Sequence, residues 1–119
     1  MAVHYTDTLD RTFHALGDAS RRRMLAAIAE RRECTAGELG ALCESAQPTV
    51  SRHLRVLQAA GLVARRKDGR HQRFTLAPTP MRQAQGWLER HLAFWEGSLD
   101  QLESLLEELK SVEGKGSTK

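Results

Sequence analysis

Residues 35–63, "TAGELGALCESAQPTVSRHLRVLQAAGLV", constrain the fold more than any other stretch of the chain. They open on a capping box, Thr35 as N-cap and Glu38 three residues on, which satisfies two orphan amides of a helix start reciprocally. The short helix that follows offers Leu39 and Leu42 to a core. About four residues later a second helix begins, with Pro48 tolerated in its first turn, where an N–H would have no helical partner. Val50, Leu54 and Leu57 recur along it at the i, i+4, i+7 spacing of a buried stripe, and Gly61 stops it. Ser51, Arg52 and Arg55 turn away from that stripe. Two short helices joined by a tight turn, the second polar on its outer side, form a helix-turn-helix.

The flanks supply the rest of a domain. Upstream, "TDTLDRTFHALGD" places Leu9, Phe13 and Leu16 on one helical face, and Gly17 ends that helix. Asp18 then caps another helix, whose Met24, Leu25 and Ile28 point inward. Arg21, Arg22 and Arg23 fall in its first turn, where the macrodipole disfavours cations. Asp18 can compensate one of them and a nearby phosphate another. Downstream, Asp68-Gly69 signals a hairpin with a type I′ turn. Such a turn pairs Val63 with Phe74 and Lys67 with Arg70, and sets Arg66 opposite His71. Like charges facing each other on a hairpin repel, so a tip that carries them suits an anion.

Thr79-Pro80 opens a last helix, expected from about 80 to 110. Leu88, Leu92, Trp95, Leu99, Leu102, Leu106 and Leu109 follow the 4-3 spacing of a coiled-coil seam, and Trp87, His91 and Phe94 form a strip beside it. One small domain cannot cover both strips, so a partner chain is implied. The polar, glycine-containing segment 111–119 is expected to be a disordered tail, leaving residues 1–110 as one domain.

Charge divides the chain. Residues 1–79 carry 13 Lys/Arg against 8 Asp/Glu, whereas residues 80–119 carry 5 against 7. Within 52–73 seven cations face only Asp68, a local field that favours a polyanion. No apolar run approaches bilayer length and "MAVHYTDTLD" is not a secretory signal, so a cytoplasmic location without membrane contact is expected. Two cysteines are too few for a disulfide scaffold. Cys43 reads as a small core hydrophobe, while Cys34, beside Arg31, Arg32 and Glu33, is placed at the surface. No nucleophile motif or glycine-rich phosphate loop occurs, so neither catalysis nor a cofactor is expected.

The assembled pattern resembles the ArsR family of bacterial repressors. The resemblance rests on "LGDASRRRML" (16–25), residues 35–63 and "RRKDGRHQRFTL" (65–76). The end, "WLERHLAFWEGSLDQLESLLEEL", looks like a subgroup that lacks a metal site. This resemblance implies a mostly α fold with a small β-hairpin, a winged helix-turn-helix with a long C-terminal dimerisation helix. It implies a homodimeric, sequence-specific repressor on double-stranded DNA, with a recognition helix (about 47–60) in the major groove. The basic wing (about 62–76) would lie near the adjacent minor groove. Gln47, Thr49, Ser51, Arg52 and Arg55 are then the candidate DNA contacts on the helix, and Arg66, Lys67, Arg70 and Arg73 those on the wing. Leu9, Phe13, Leu88, Leu92, Trp95, Leu99, Leu102 and Leu106 are the candidate dimer contacts. His53, flanking the buried stripe, is expected to pack with a hydrogen bond.

Three departures matter. The family's glycine-apolar-Ser turn reads Glu44-Ser45-Ala46, which removes the usual N-cap and leaves Ser45 to cap from one residue earlier. The thiolate pair of the family's metal sensors is replaced by Thr35 and Gly37. On the last helix, Glu89 and His91 are followed by Leu102 and Leu105 where further ligands would stand, so no regulatory metal is expected. Two alternatives stay open: a redox-responsive repressor using Cys34 and Cys43, and a winged-helix protein-interaction module without DNA binding. The sequence names no small-molecule inducer.

Overall fold

The computed structural model of the chain describes residues 5–117, and side chains for residues 7–112. Eight elements follow in order: α1 (Tyr5–Leu16), α2 (Ala19–Arg31), β1 (Glu33–Thr35), α3 (Ala36–Leu42), α4 (Gln47–Ala59), β2 (Val63–Asp68), β3 (His71–Leu76) and α5 (Thr79–Ser117). Two compact units are distinct, residues 1–84 and 85–119. The first is a winged helix-turn-helix and the second is the distal part of α5.

Two helix starts in the first unit, those of α2 and α3, are set by side chains. The Asp18 carboxylate accepts the Arg21 amide at 3.1 Å and caps α2. That bond, followed by the charge of Arg21, holds its carboxyl below the ordinary aspartate range. The arginines that follow are not left against the macrodipole. Arg21 donates Nε to the Ala15 carbonyl at 2.8 Å and a terminal nitrogen to the His14 carbonyl at 3.0 Å. Arg22 reaches the Leu16 carbonyl at 2.6 Å. Both cations therefore sit on the last carbonyls of α1, the negative end of that helix, where no phosphate is needed to compensate them.

The capping box at Thr35 is complete. Thr35 Oγ1 accepts the Glu38 amide at 3.1 Å, and Glu38 Oε1 accepts the Thr35 amide at 3.0 Å. Leu39 is fully buried, but Leu42, at the end of this short helix, is exposed. The turn to α4 runs through Glu44, whose φ of 51° lies in the left-handed region. Ser45 does not cap α4: its hydroxyl donates to the Cys43 carbonyl at 3.2 Å, and the N-cap residue, Ala46, makes no side-chain cap. Pro48 in the first turn leaves one orphan amide fewer to satisfy. At the other end, Gly61 at φ 74° permits a Schellman closure, with Gly61 N bonded to Gln58 O and Leu62 N to Leu57 O.

Met24, Ile28, Leu39, Val50, Leu57 and Leu62 fill the core, with Phe74 from the sheet and Cys34 from β1. Fully burying a side chain of this size stabilises the fold by about 1.5–3 kcal/mol. The sheet has three strands rather than the hairpin alone, in the order β1-β3-β2, all antiparallel. β1 has no periodic signal of its own at three residues; it exists because Cys34 lies opposite Phe74 in the core.

The hairpin register also differs from expectation. Asp68 pairs with His71, Lys67 with Gln72, Arg66 with Arg73 and Val63 with Leu76, so the two-residue loop is Gly69-Arg70. Gly69 carries the hairpin's positive φ, 61°, and Arg70 has none, the pattern of a type II′ turn. Glycine at the first loop position makes this possible where Asp-Gly would have needed Asp68 in a left-handed conformation. Because the two pairings differ by an even number of residues, Val63 and Phe74 still share a face.

Residues 111–117 are helical, not a disordered tail: α5 continues to Ser117, and residues 118–119 lie outside the described part. Once a helix is nucleated each further residue adds a hydrogen bond, so the isolated glycines here shorten it less than their propensity suggests. Among the described residues no helix is long and apolar enough to cross a membrane.

Candidate nucleic-acid interface

On α4 the buried stripe Val50, Leu54 and Leu57 fixes where every other side chain points. Arg52 and Arg55 stand exposed, away from the core, and neither forms an ion pair or hydrogen bond among the described residues. Ser51 is exposed and Gln58 half-buried on the flank facing the hairpin, while Thr49 is half-buried. Gln47 is exposed, yet its amide nitrogen donates to the Ala36 carbonyl at 3.2 Å and stitches α4 to α3. His53 packs inward: Nδ1 lies 3.4 Å from an Arg21 terminal nitrogen and Nε2 3.9 Å from Asp18. Since guanidinium can only donate, Nδ1 accepts and Nε2 carries the proton towards the carboxylate. This contact ties the outer-facing helix to the α1–α2 junction.

The hairpin has two unlike faces. On one, Arg66 and Arg73 lie directly opposite each other, and their repulsion is neutralised from within. Arg66 meets Glu33 at 3.0 Å; Arg73 meets Asp68 at 2.9 Å and Glu33 at 3.8 Å. The Arg73 hydrogen bond and charge hold the Asp68 carboxyl below its ordinary range, and the same bond raises Arg73. The other face carries Arg65 and Lys67, with Arg70 in the loop. Lys67 and Arg70 are exposed and have no partner among the described residues. Arg65 touches only Gln72, at 3.4 Å. Between this face and α4 lies an open cleft of about 540 Å³.

Sequence reasoning thus found Arg52, Arg55, Lys67 and Arg70 as unengaged groups, and Arg66 and Arg73 as cations that turn out to be internally paired. It did not single out Arg65 and Gln58, which line the cleft. Both were within reach of simple periodicity, since Arg65 is two residues from buried Val63 and Gln58 is seven from Ser51.

The cysteines and the candidate metal ligands are buried or scattered among the described residues. Cys34 is fully buried, not at the surface, because β1 carries it under the sheet. Its thiol approaches the Ala27 carbonyl at 3.7 Å, and burial, followed by the Glu38 charge, pushes its pKa up. A buried, protonated thiol is a poor redox sensor. Cys43 is also buried, and both are free thiols. Among the described residues no three His, Cys, Asp or Glu converge as a metal site. His91 is stacked on Trp87 at 4.0 Å with Nδ1 donating to the Trp87 carbonyl at 2.9 Å.

In the second unit the seam is open. Leu88, Leu92, Trp95, Leu99, Leu102 and Leu106 are all about half exposed or more. The two α1 residues expected beside them differ: Leu9 is buried within the chain and Phe13 half-buried.

The helix-turn-helix domain family matches residues 16–66 of the chain. An HTH-type transcriptional regulator of Mycobacterium tuberculosis is 34% identical over 90 residues, 76% of this chain and 80% of its own length. Among solved structures, an ArsR-like transcriptional regulator from Rhodococcus superposes with a TM-score of 0.73 at 28% identity, over 87% of this chain and 96% of that one. The homodimeric winged helix-turn-helix DNA-binding domain of a possible ArsR-family regulator from Mycobacterium bovis gives 0.60 at 25% identity, over 73% and 83%. The chain belongs to the ArsR family of winged helix-turn-helix regulators, DNA-binding proteins of transcription.

Proposed function

We propose that this chain is a homodimeric repressor that occupies an operator in double-stranded DNA and so excludes the transcription machinery. The observation that carries the reading is the unpaired, outward position of Arg52 and Arg55 on α4, beside a hairpin whose Lys67 and Arg70 are also unpaired. Ser51 and Thr49 would hold phosphates beside them, and Gln47, already bonded to Ala36, keeps its side-chain carbonyl for a base or water. Arg66 and Arg73 brace the hairpin through Glu33 and Asp68 rather than reach for DNA. The open leucine seam of α5 supports a second copy as partner, and the related M. bovis domain is described as homodimeric. A two-fold pair of recognition helices reads half-sites about 34 Å apart, one turn of duplex. No feature assigns an inducer.

Arg52→Ala tests the reading. It should weaken binding to the DNA upstream of the chain's own gene by about 1–3 kcal/mol and relax sequence preference, with the fold unchanged by circular dichroism. Wild-type affinity and selectivity in a fluorescence anisotropy titration would reject it.

A further inference from the structure

α2 and α3 start under side-chain caps, whereas α4, the helix proposed to read DNA, starts without one. The turn before it offers no substitute, since Glu44 is in the left-handed region and Ser45 bonds backwards to the Cys43 carbonyl. An uncapped first turn frays, and Thr49, Ser51 and Arg52 lie in it or directly after it. What ties that turn down is the side chain of Gln47, which donates to the Ala36 carbonyl at the start of α3, 3.2 Å away.

The path of this side chain depends on Gly40. Gly40 follows Ala36 by four residues, one helical turn, so a side chain there would lie against the same carbonyl. A Cβ at Gly40 would overlap the Gln47 amide nitrogen and stand 3.1 Å from the Ser45 carbonyl. Gly37, the other glycine of α3, differs: a Cβ there would meet only Thr35 Oγ1, at 3.9 Å. Glycine inside a helix is unfavourable against alanine. At Gly37 no close neighbour asks for it, but at Gly40 the Gln47 amide does. The Gly40 carbonyl also accepts the Ser45 amide at 3.0 Å, so this one buried residue holds the turn and leaves the slot.

We propose that Gly40 and Gln47 form a latch that fixes the first turn of α4 on α3, with Gln47 a positioning residue for sequence selectivity. The latch takes the place of the missing N-cap by a longer route. The inference rests on the DNA-binding reading above and refines it. A side chain that reads a base edge gains most when its helix is already ordered, because ordering on contact subtracts from the binding free energy. Phosphate contacts carry no base information and tolerate a looser helix. Loss of the latch therefore lowers selectivity and, with no cation removed, leaves the salt dependence in place.

The test measures selectivity, the ratio of affinities for the upstream duplex and an unrelated one, on full-length protein at several salt concentrations. Hydrogen exchange of the Val50 amide, which bonds the Ala46 carbonyl at 3.0 Å, reports the first turn of α4 without DNA. Gly40→Ala and Gln47→Ala should each lower selectivity by up to about tenfold, the size of one neutral hydrogen bond. Both should speed Val50 exchange and keep the salt slope. The double variant should be no worse than Gln47→Ala alone, because both substitutions remove the same bond. Losses that add would mean two independent effects and would overturn the latch. Selectivity lost in Gln47→Ala but kept in Gly40→Ala would make Gln47 a direct base reader, and the latch falls. Faster exchange with selectivity intact would make the bond merely structural and overturn the positioning role. If both variants keep selectivity and Arg52→Ala loses it, the latch falls and the DNA-binding reading stands; if Arg52→Ala keeps it too, both fall. Should Gly40→Ala fail to fold against the Ser45 carbonyl, Gln47→Met, of similar length without a donor, decides. Exchange and selectivity both move if the amide is a latch, and selectivity alone moves if it only reads a base.

Discussion

The winged-helix unit and the distal part of α5 treat the same residue type in opposite ways. Leu39, Leu54 and Leu57 are at most 3% exposed, whereas Leu88, Leu99 and Leu106 are 48–54% exposed. The first unit layers helices over a small sheet, so each apolar stripe meets another. The second is one helix with a leucine seam, and no element of its own to lay against it. Charge follows the same division, basic where DNA is proposed to bind and acidic along α5, where Glu103, Glu107 and Glu108 suit a surface held away from phosphates. One unit thus buries its apolar stripes within a single chain, and the other leaves a seam that the proposed second copy would cover. Covering a half-exposed leucine returns about 1 kcal/mol. Two such seams together return on the order of 10 kcal/mol, comparable with the roughly 4–15 kcal/mol lost on association. A dimer held this way has little to spare.

The comparison is broken most directly by Leu99→Glu with Leu102→Glu. Two carboxylates in the seam should leave the winged-helix unit folded and the protein monomeric. Operator affinity should drop by about two orders of magnitude or more, because the second half-site no longer binds as part of one body. Light scattering and an operator titration on the double variant check both parts. A folded monomer that binds at wild-type strength would show that the distal helix is not a dimer surface on which DNA binding depends.

A smaller effect separates the two faces of the hairpin within the first unit. Lys67→Ala with Arg70→Ala should flatten the salt dependence of binding by about one unit of slope for each lost phosphate contact. Arg66→Ala with Arg73→Ala should leave the slope in place and lower the melting temperature slightly. Acid tests the same pairing. Asp68 titrates below its ordinary range in the fold, so its stabilising effect is full above that ordinary value and is lost as pH falls through the lowered one. Asp68→Asn should therefore cost thermal stability at neutral pH and little once the carboxyl of the wild type is protonated. Equal salt slopes for the two arginine-containing pairs would mean that the internal ion pairs do not decide which cations meet DNA.

How much of this was legible in the sequence depended on the range of the interaction. Caps, stripes and stops are local, so Asp18, Thr35–Glu38, Val50–Leu54–Leu57 and Gly61 could be placed from spacing alone. The hairpin was recognised but its loop was misplaced by one residue, since Asp-Gly and Gly-Arg are both workable two-residue loops and only pairing across the strands chooses between them. β1 and the burial of Cys34 needed a partner strand forty residues away in sequence. The division of the wing cations needed Glu33, which local reading assigns to no particular arginine. Features built from long-range pairs are where the sequence was least informative, and the α4–hairpin cleft is one of them.

The smallest predicted effect sharpens the comparison between the units. Glu44 has a φ of 51° in the turn between α3 and α4, a conformation that costs a non-glycine residue about 1–2 kcal/mol. Glu44→Gly removes that strain, and the greater freedom of glycine in the unfolded chain takes back part of the gain. A net stabilisation of roughly 0.5–1 kcal/mol is expected, read as a rise of a few degrees in melting temperature. Glu44→Asn, which tolerates the left-handed region better than most residues, should recover part of it, and Glu44→Ala none. Placed on the Leu99→Glu, Leu102→Glu background, the same substitution should stabilise by the same amount, because distant and independent sites add. A gain that appears only in the dimer would mean that the winged-helix unit draws its stability from the partner chain, and the contrast between a self-sufficient unit and a dependent one would have to be given up.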